Sequence, residues 1–155
     1  MNIRLANKFD QPFLLDVLKN YQQQIDLPET SLNLSIVVKE EYISKLFQHI
    51  LLGAGLALIA EKDNKAVGIL LALCNGNVWD PEVKTLNHLL LWVEPNARTS
   101  SAAMRLLRAY NEHGNKMIAE NKIKMFSITK AYHLKKLNLE KMGFKKAEET
   151  WCIGL

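Results

Sequence analysis

Residues 85 to 107 read TLNHLLLWVEPNARTSSAAMRLL, and this stretch decides the fold. Its first part, up to Val93, is too apolar to leave one face in water, which predicts a strand in the middle of a sheet. A turn follows at Pro95, and a helical pattern of apolar residues begins near Ser101. A strand that turns directly into a helix points free backbone N–H groups and the positive end of the helix dipole at one spot. The stretch therefore predicts an anion-binding loop at residues 98 to 103.

The elements around this stretch follow from apolar periodicity and turn residues. Strands are predicted at residues 2 to 6, 55 to 61, 66 to 74, 85 to 93 and 124 to 129, with one or two closing strands in residues 144 to 155. Helices are predicted from Asp10 to Tyr21, from Val37 to Gly53, from Ser101 to Ile118 and from Tyr132 to Met142. This order of elements predicts a mixed α/β (α+β) fold.

Three residues in this pattern are expected to be required by backbone conformation or by close packing of the backbone. Gly53 is predicted to end the second helix. Asn64, in the turn KDNK, suits a positive φ between two strands of a hairpin. Gly114 falls inside the apolar stripe of the third helix, so we interpret it as a close packing contact and not as a helix end.

The composition is that of one soluble globular domain over residues 1 to 155. Apolar residues make up 48% of the chain and charged residues 23%, which excludes a disordered or fibrous protein. Cys74 and Cys152 form no CxxC pair, which predicts no disulfide framework and favours a reducing cytoplasm. We expect no membrane insertion, because the start of the chain has no apolar leader and the apolar runs are too short to span a bilayer.

The formal net charge is +4, and six lysines fall between residues 130 and 146. Such a run is usually a solvated face, and the alternative is a surface for an anionic ligand or partner. The tryptophans are not interleaved with basic residues, so nucleic-acid binding is not expected. His49, His113 and His133 do not cluster with cysteines or carboxylates at ligand spacing, so no metal is expected.

Two side chains add to the predicted anion-binding loop. Arg98 supplies a fixed positive charge, and Ser100 or Ser101 can cap the helix that follows. A capped helix after a strand is also common where nothing binds, and this interpretation stays open on periodicity alone.

Three motifs in this order resemble those of one family. Arg98-Thr99-Ser100-Ser101-Ala102-Ala103 resembles the Arg/Gln-x-x-Gly-x-Gly/Ala pyrophosphate loop of the Gcn5-related N-acetyltransferase (GNAT) family. Val93-Glu94-Pro95 resembles the Val-x-Pro run before that loop. LEKMGFKKAEET, at residues 139 to 150, is similar to the closing Tyr-x-Lys-x-Gly-Phe signature. The order of elements matches the family over nearly the whole chain.

The resemblance implies a fold, a co-substrate and a reaction. The fold is a mostly antiparallel sheet of six or seven strands with about four helices, splayed between the strand that ends at Val93 and the strand at 124 to 129. Acetyl-CoA would place its pyrophosphate on the backbone amides of residues 98 to 103 and its pantetheine along Leu91, Trp92 and Val93. The acetyl group would pass directly to an amine of a small molecule or protein, without a metal.

The chain departs from the family at two positions. Ser101 stands where the first loop glycine is usual, although some members, virus-encoded ones among them, tolerate such loops. Leu139 stands where many members have a tyrosine that protonates the departing thiolate. Tyr132 is a substitute on the same predicted helix, displaced by about 10 Å along the axis, and solvent is another proton source.

His88 lies in the predicted central strand, ten residues before Arg98, where some family members place the base that deprotonates the amine. A neutral imidazole can accept that proton. The alternative is a histidine that only makes a hydrogen bond within a buried strand.

Two rival functions remain beside the acetyltransferase. One is a module that keeps the fold and binds CoA or a protein without catalysis, and the other is a basic adaptor that uses the late lysines. The acceptor and the state of association, a homodimer included, are left open by the sequence.

Overall fold

The computed structural model describes residues 1 to 25, 38 to 130 and 138 to 148. In these residues five strands form one sheet in the order β1-β2-β3-β4-β5. The strands are β1 Asn2–Leu5, β2 Gly55–Lys62, β3 Lys65–Gly76, β4 Lys84–Val93 and β5 Met125–Ser127. All neighbours are antiparallel except β4 and β5, which are parallel. The predicted mixed, mostly antiparallel fold is confirmed.

Helices cover both faces of the sheet. They are α1 Gln11–Ile25, α2 Glu40–His49 and α3 Ala102–Ala119. The buried residues form two clusters, one between the sheet and α3 and one between the sheet, α1 and α2. The sheet is therefore the middle layer, and its strands are apolar on both sides because both sides are covered.

Gly53, Asn64 and Gly114 have the conformations and contacts that the sequence predicts. Gly53 has φ 106° at the end of the turn that follows α2, and Asn64 has φ 60° in the β2–β3 hairpin. A Cβ built on Gly114 would lie 2.6 Å from the Phe126 ring. Gly114 is thus the close packing contact that the sequence predicts, inside α3.

The later part of the chain differs from the prediction. Five strands are described, not six or seven, and three α-helices, not four. The strand predicted at 124 to 129 is only Met125–Ser127, because its pairing with β4 ends there. Of the helix predicted at 132 to 142, residues 132 to 137 lie outside the described part, and Glu140–Met142 forms a single 3-10 turn that ends at Gly143 with φ 89°.

Only the first part of the segment predicted to form the closing strands is described. Residues 144 to 148 form no strand, and four of these five residues are exposed. An exposed segment with two lysines and a glutamate has no apolar face to bury in a sheet. Residues 149 to 155 lie outside the described part.

Candidate active site

The edge of β4 that faces β5 is paired over only part of its length. Thr85, Leu86 and Asn87 pair with β5, and β4 then runs on to Val93. No described strand pairs with this second part on that side. The predicted splay is thus present, between the strand that ends at Val93 and β5.

The hydrogen bonds to β3 show which backbone groups face the gap. The Glu94 N–H donates to the Val67 carbonyl at 2.9 Å, so residue 94 points toward β3. Residues alternate along an antiparallel strand, so Trp92 also points its N–H and C=O at β3. The backbone groups of Leu91 and Val93 therefore point into the gap.

A bulge lies where β4 passes from the paired to the open part. Leu71 pairs with Leu90 and Ala72 pairs with His88, so Leu89 is an extra residue in β4. Side chains opposite each other share a face, and Ala72 belongs to the cluster on the α3 side. His88 therefore lies on the α3 face, whereas Leu90 lies on the α1–α2 face.

His88 has a buried imidazole without a partner in the described part of the chain. Neither Nδ1 nor Nε2 makes a hydrogen bond, and both atoms are shielded from solvent. Burial lowers the pKa of His88 from its usual value to about 4, so the ring is neutral at pH 7. Unsatisfied buried polar groups are rare in folded proteins. The described residues provide no hydrogen-bond partner for this ring within its strand, and the role of His88 as a base stays a prediction.

The loop before α3 presents unused backbone donors. Ser101 holds the N-cap position with φ −79° and makes no side-chain cap. The Ser100 Oγ takes the Ala102 N–H instead, at 3.2 Å. Within the described residues, the N–H groups of Thr99, Ser101, Ala103 and Met104 find no acceptor. An ordinary φ at residue 101 means that the missing glycine is not needed for this conformation.

Arg98 closes one side of this loop against the end of β4. Its Nε donates to the Val93 carbonyl at 3.0 Å, and its guanidinium lies 4.9 Å from the centre of the Trp92 ring. Trp92 is only 4% exposed and packs edge-on against Tyr21. Its side chain is therefore part of the core, while its neighbours Leu91 and Val93 offer backbone groups to the gap.

The paired end of β4 carries a cluster that the sequence did not single out. The buried Tyr110 hydroxyl donates to the Ser127 carbonyl at 2.7 Å and lies 3.3 Å from the Leu86 carbonyl. The Ser127 Oγ donates to the Asn87 Oδ1 at 3.0 Å. Helix α3 thereby joins β4 to β5 at one end of the gap. The position of Tyr110 in an apolar stripe predicts burial but not these partners.

Leu139 lies in the described part of the chain and Tyr132 does not. Leu139 is partly buried at the start of the 3-10 turn, and its carbonyl accepts the Phe144 N–H at 3.2 Å. Phe144 packs edge-on against Phe126 of β5. Tyr132 lies outside the described residues, so its role stays a prediction.

A cavity of about 130 Å³ lies on the other face of the sheet, between α1, α2 and β4. It reaches Leu89 and Leu90, the bulged residue and its successor. Its lining is apolar, apart from the Tyr21 hydroxyl: Leu14, Leu18, Tyr21, Ile43, Leu46, Phe47, Ile50, Leu71, Leu89 and Leu90. A larger groove of about 540 Å³ lies between β1 and α3 and meets residues 98 to 101 only at Ser101.

The described residues hold neither a metal-binding cluster nor a membrane-spanning helix. No group of three or more histidine, cysteine, aspartate or glutamate side chains there is arranged to hold a metal ion. No helix in the same residues has the length and hydropathy to cross a membrane.

Comparisons with known proteins find the fold but no similar sequence. No protein-family model matches the chain, and neither does any curated protein. A predicted acetyltransferase from Clostridium acetobutylicum, solved with acetyl-CoA, is similar in structure with a TM-score of 0.68 and 16% identity, over 99% of this chain and 95% of that one.

Two further structures are similar over nearly the whole chain. The ribosomal-protein-alanine N-acetyltransferase from Brucella melitensis biovar Abortus 2308 has a TM-score of 0.64 and 15% identity, over 100% of both chains. An aminoglycoside acetyltransferase from an uncultured soil metagenomic sample, in complex with sisomicin, has a TM-score of 0.65 and 15% identity, over 99% of this chain and 93% of that one. This chain therefore has the fold of the GNAT acetyltransferases, and a likeness to virus-encoded members stays a prediction.

Proposed function

We propose that this protein is an acetyl-CoA-dependent N-acetyltransferase that moves an acetyl group directly to an amine. The observation that carries the proposal is the open edge of β4 beside the uncapped N-terminus of α3. An extended amide-bearing arm can pair with such an edge, and a pyrophosphate can bind to such a helix end. The two features lie in consecutive parts of the chain, as one elongated ligand requires.

The described residues fit acetyl-CoA in donor type and in position. The free N–H groups of Thr99, Ser101, Ala103 and Met104 suit phosphate oxygens, and the N–H and C=O of Leu91 and the N–H of Val93 suit the amides of a pantetheine. When bound, acetyl-CoA supplies an activated acetyl thioester. A backbone N–H in the gap near Val93 would donate to the oxygen of that thioester as negative charge develops on it.

His88 would accept the proton that the ammonium group of the acceptor must lose before attack. The neutral imidazole is ready to do so at pH 7, although its low pKa of about 4 makes it a weak base. In the transfer a C–N bond forms and the C–S bond breaks; the nitrogen gives one proton to His88 before attack and a second to water as the amide forms, and His88 releases its proton to water before the next cycle. The thiolate leaves with Tyr132 or water as the proton donor, since Leu139 carries no proton to give.

Calorimetric titration with acetyl-CoA, followed by turnover with a panel of small amines, peptides and proteins, tests the proposal. We expect binding and slow but measurable release of CoA with at least one amine in the cytoplasmic pH range. Absence of binding would remove the proposal altogether.

The second candidate is a module that binds CoA without catalysis, and Leu139 favours it because the usual acid is missing. Tight acetyl-CoA binding with no acetylation of any amine in the panel would select this candidate. An adaptor that uses the late lysines would bind an acidic partner and leave acetyl-CoA unbound.

A further inference from the structure

The apolar cavity between α1, α2 and the bulge of β4 has the position and the chemistry of a substrate pocket. It opens beside Leu89, and His88 is the next residue on the opposite face of the strand. Whatever fills the cavity is therefore separated from the gap of β4 only by the bulged strand itself. This inference rests on the proposed acetyl transfer at that gap.

The lining of the cavity sets what it accepts. Nine of its ten side chains are hydrocarbon, and five of them, Leu14, Phe47, Ile50, Leu71 and Leu90, are at most 6% exposed. A charged or hydroxylated group placed there would lose its water without gaining a described partner. The single polar atom, the hydroxyl of Tyr21, belongs to a side chain that is 40% exposed, at the rim.

The volume limits the size of the occupant. At about 130 Å³ the cavity is of the size that takes a benzene ring or a short alkyl chain when lined by leucine, isoleucine and phenylalanine. It is too small for a second helix or a sugar of several rings.

We propose that the acceptor is a primary amine that carries a short alkyl or aryl group, and that this group occupies the cavity while the amine nitrogen reaches the gap past Leu89. Polycationic amino sugars such as sisomicin, which is bound to the aminoglycoside acetyltransferase of the same fold, should be poor acceptors here. The same apolar chemistry could come from a longer acyl chain on the donor, and the experiment separates the two sources.

The test compares pentylamine with 5-aminopentan-1-ol, which differ only by a terminal hydroxyl. We expect pentylamine to be favoured by roughly 10- to 100-fold in kcat/KM, because a hydrophobic pocket discriminates against a buried hydroxyl to about this extent. Leu18→Trp, which fills the cavity from α1, should lower this ratio toward one without changing acetyl-CoA affinity. Leu52→Trp is the matched control, because Leu52 is 88% exposed and does not line the cavity.

Ile43→Phe is a second, smaller filling from α2, in case Leu18→Trp does not fold. Equal use of the two amines, or a preference that survives both fillings, would overturn the inference and leave the acetyltransferase standing. A filling that instead lowers the use of butanoyl-CoA relative to acetyl-CoA would assign the cavity to the donor and also overturn it.

Binding gives a readout that does not need turnover. Pentylamine added to the full chain should shift the methyl resonances of Leu18, Ile43 and Leu46, and 5-aminopentan-1-ol should not. These shifts without acetylation of any amine would support the cavity's preference while contradicting the proposed transfer. Their absence, with or without turnover, would contradict the inference.

Discussion

The two halves of β4 differ both in composition and in their pairing within the sheet, since three of residues 84 to 87 are polar and residues 90 to 93 are all apolar. Residues 84 to 87 are held on both edges, by β3 and by β5, and Tyr110 and Ser127 reinforce that junction. Residues 90 to 93 are held by β3 alone in the described part of the chain, and their other edge faces the gap. The candidate site therefore lies where half of a central strand has one edge unpaired. We expect the half that is paired on both edges to govern stability and the half with the unpaired edge to govern binding.

The strongest test of this division is His88→Ala, at the boundary between the halves. If His88 is the base, turnover should fall by roughly 10²- to 10⁴-fold, the usual contribution of a general base. Acetyl-CoA affinity should change little, because the free loop amides are untouched. His88→Leu is the matched variant of similar size, and it should keep the thermal stability of the parent, since no described hydrogen bond is lost. Normal turnover in both variants would return His88 to a packing role.

The pH dependence sharpens the same point. The folded pKa of about 4 lies below the usual 6.5, so between these values the unfolded chain binds more protons at this residue. The free energy of unfolding should therefore fall as the pH is lowered from 6.5 through 4, and His88→Leu should fall less steeply. Urea unfolding of both proteins at several pH values measures the difference, and parallel curves would contradict a desolvated imidazole.

Ser101→Phe tests the open half through the loop beside it. A phenyl ring over the free amides should weaken acetyl-CoA binding by about 10²-fold, the equivalent of one or two charge-assisted hydrogen bonds. Ser101→Gly is the matched control, and because φ is −79° it should leave the dissociation constant within a few-fold. Calorimetry distinguishes the variants, and unchanged affinity in Ser101→Phe would show that the pyrophosphate does not bind at this loop.

Gly114→Ala tests the closed half. Its new methyl group would lie 2.6 Å from the Phe126 ring, so β5 must shift, and overpacking of this kind costs about 1 to 3 kcal/mol. The same change in an unobstructed helix would stabilise by about 1 kcal/mol. A variant more stable than the parent in urea unfolding would therefore show that the Phe126 ring moves aside at little cost.

Tyr110→Phe is expected to have the smallest effect. It removes the hydroxyl that reaches Ser127 and Leu86, and a typical hydrogen bond of this kind contributes about 1 kcal/mol. Acetyl-CoA affinity should be unaffected, because the gap lies beyond this end. A loss of affinity larger than the loss of stability would break the division between the two halves.

The sequence predicted the helices and strands better than the contacts between them. Apolar periodicity located β2, β3, β4 and α3, because each buries a regular face, and Gly53, Asn64 and Gly114 were interpretable from backbone chemistry alone. The family resemblance, and not the periodicity, predicted the splay.

What could not be predicted depends on register. Nothing local in HLLLWV marks Leu89 as the inserted residue, since the bulge is defined only by its pairing with Leu71 and Ala72. The missing partners of His88 and the hydroxyl contacts of Tyr110 likewise follow from neighbours distant in sequence. The apolar lining beside the bulge belongs to the same class, because it combines residues of α1, α2, β3 and β4.

The bulge at Leu89 also constrains how this chain can change over generations. Before it, even-numbered residues of β4 face α3, and after it odd-numbered residues do, so Leu86 and Val93 serve one core although their parity differs. Loss of this single residue would restore regular alternation and leave every side chain on its present face, because His88 and Leu90 already pair with the consecutive residues Ala72 and Leu71. Substitutions can accumulate along β4 one at a time, but a strand without the bulge aligns with this one only across a gap at Leu89, and an ungapped alignment would pair residues from opposite faces of the sheet.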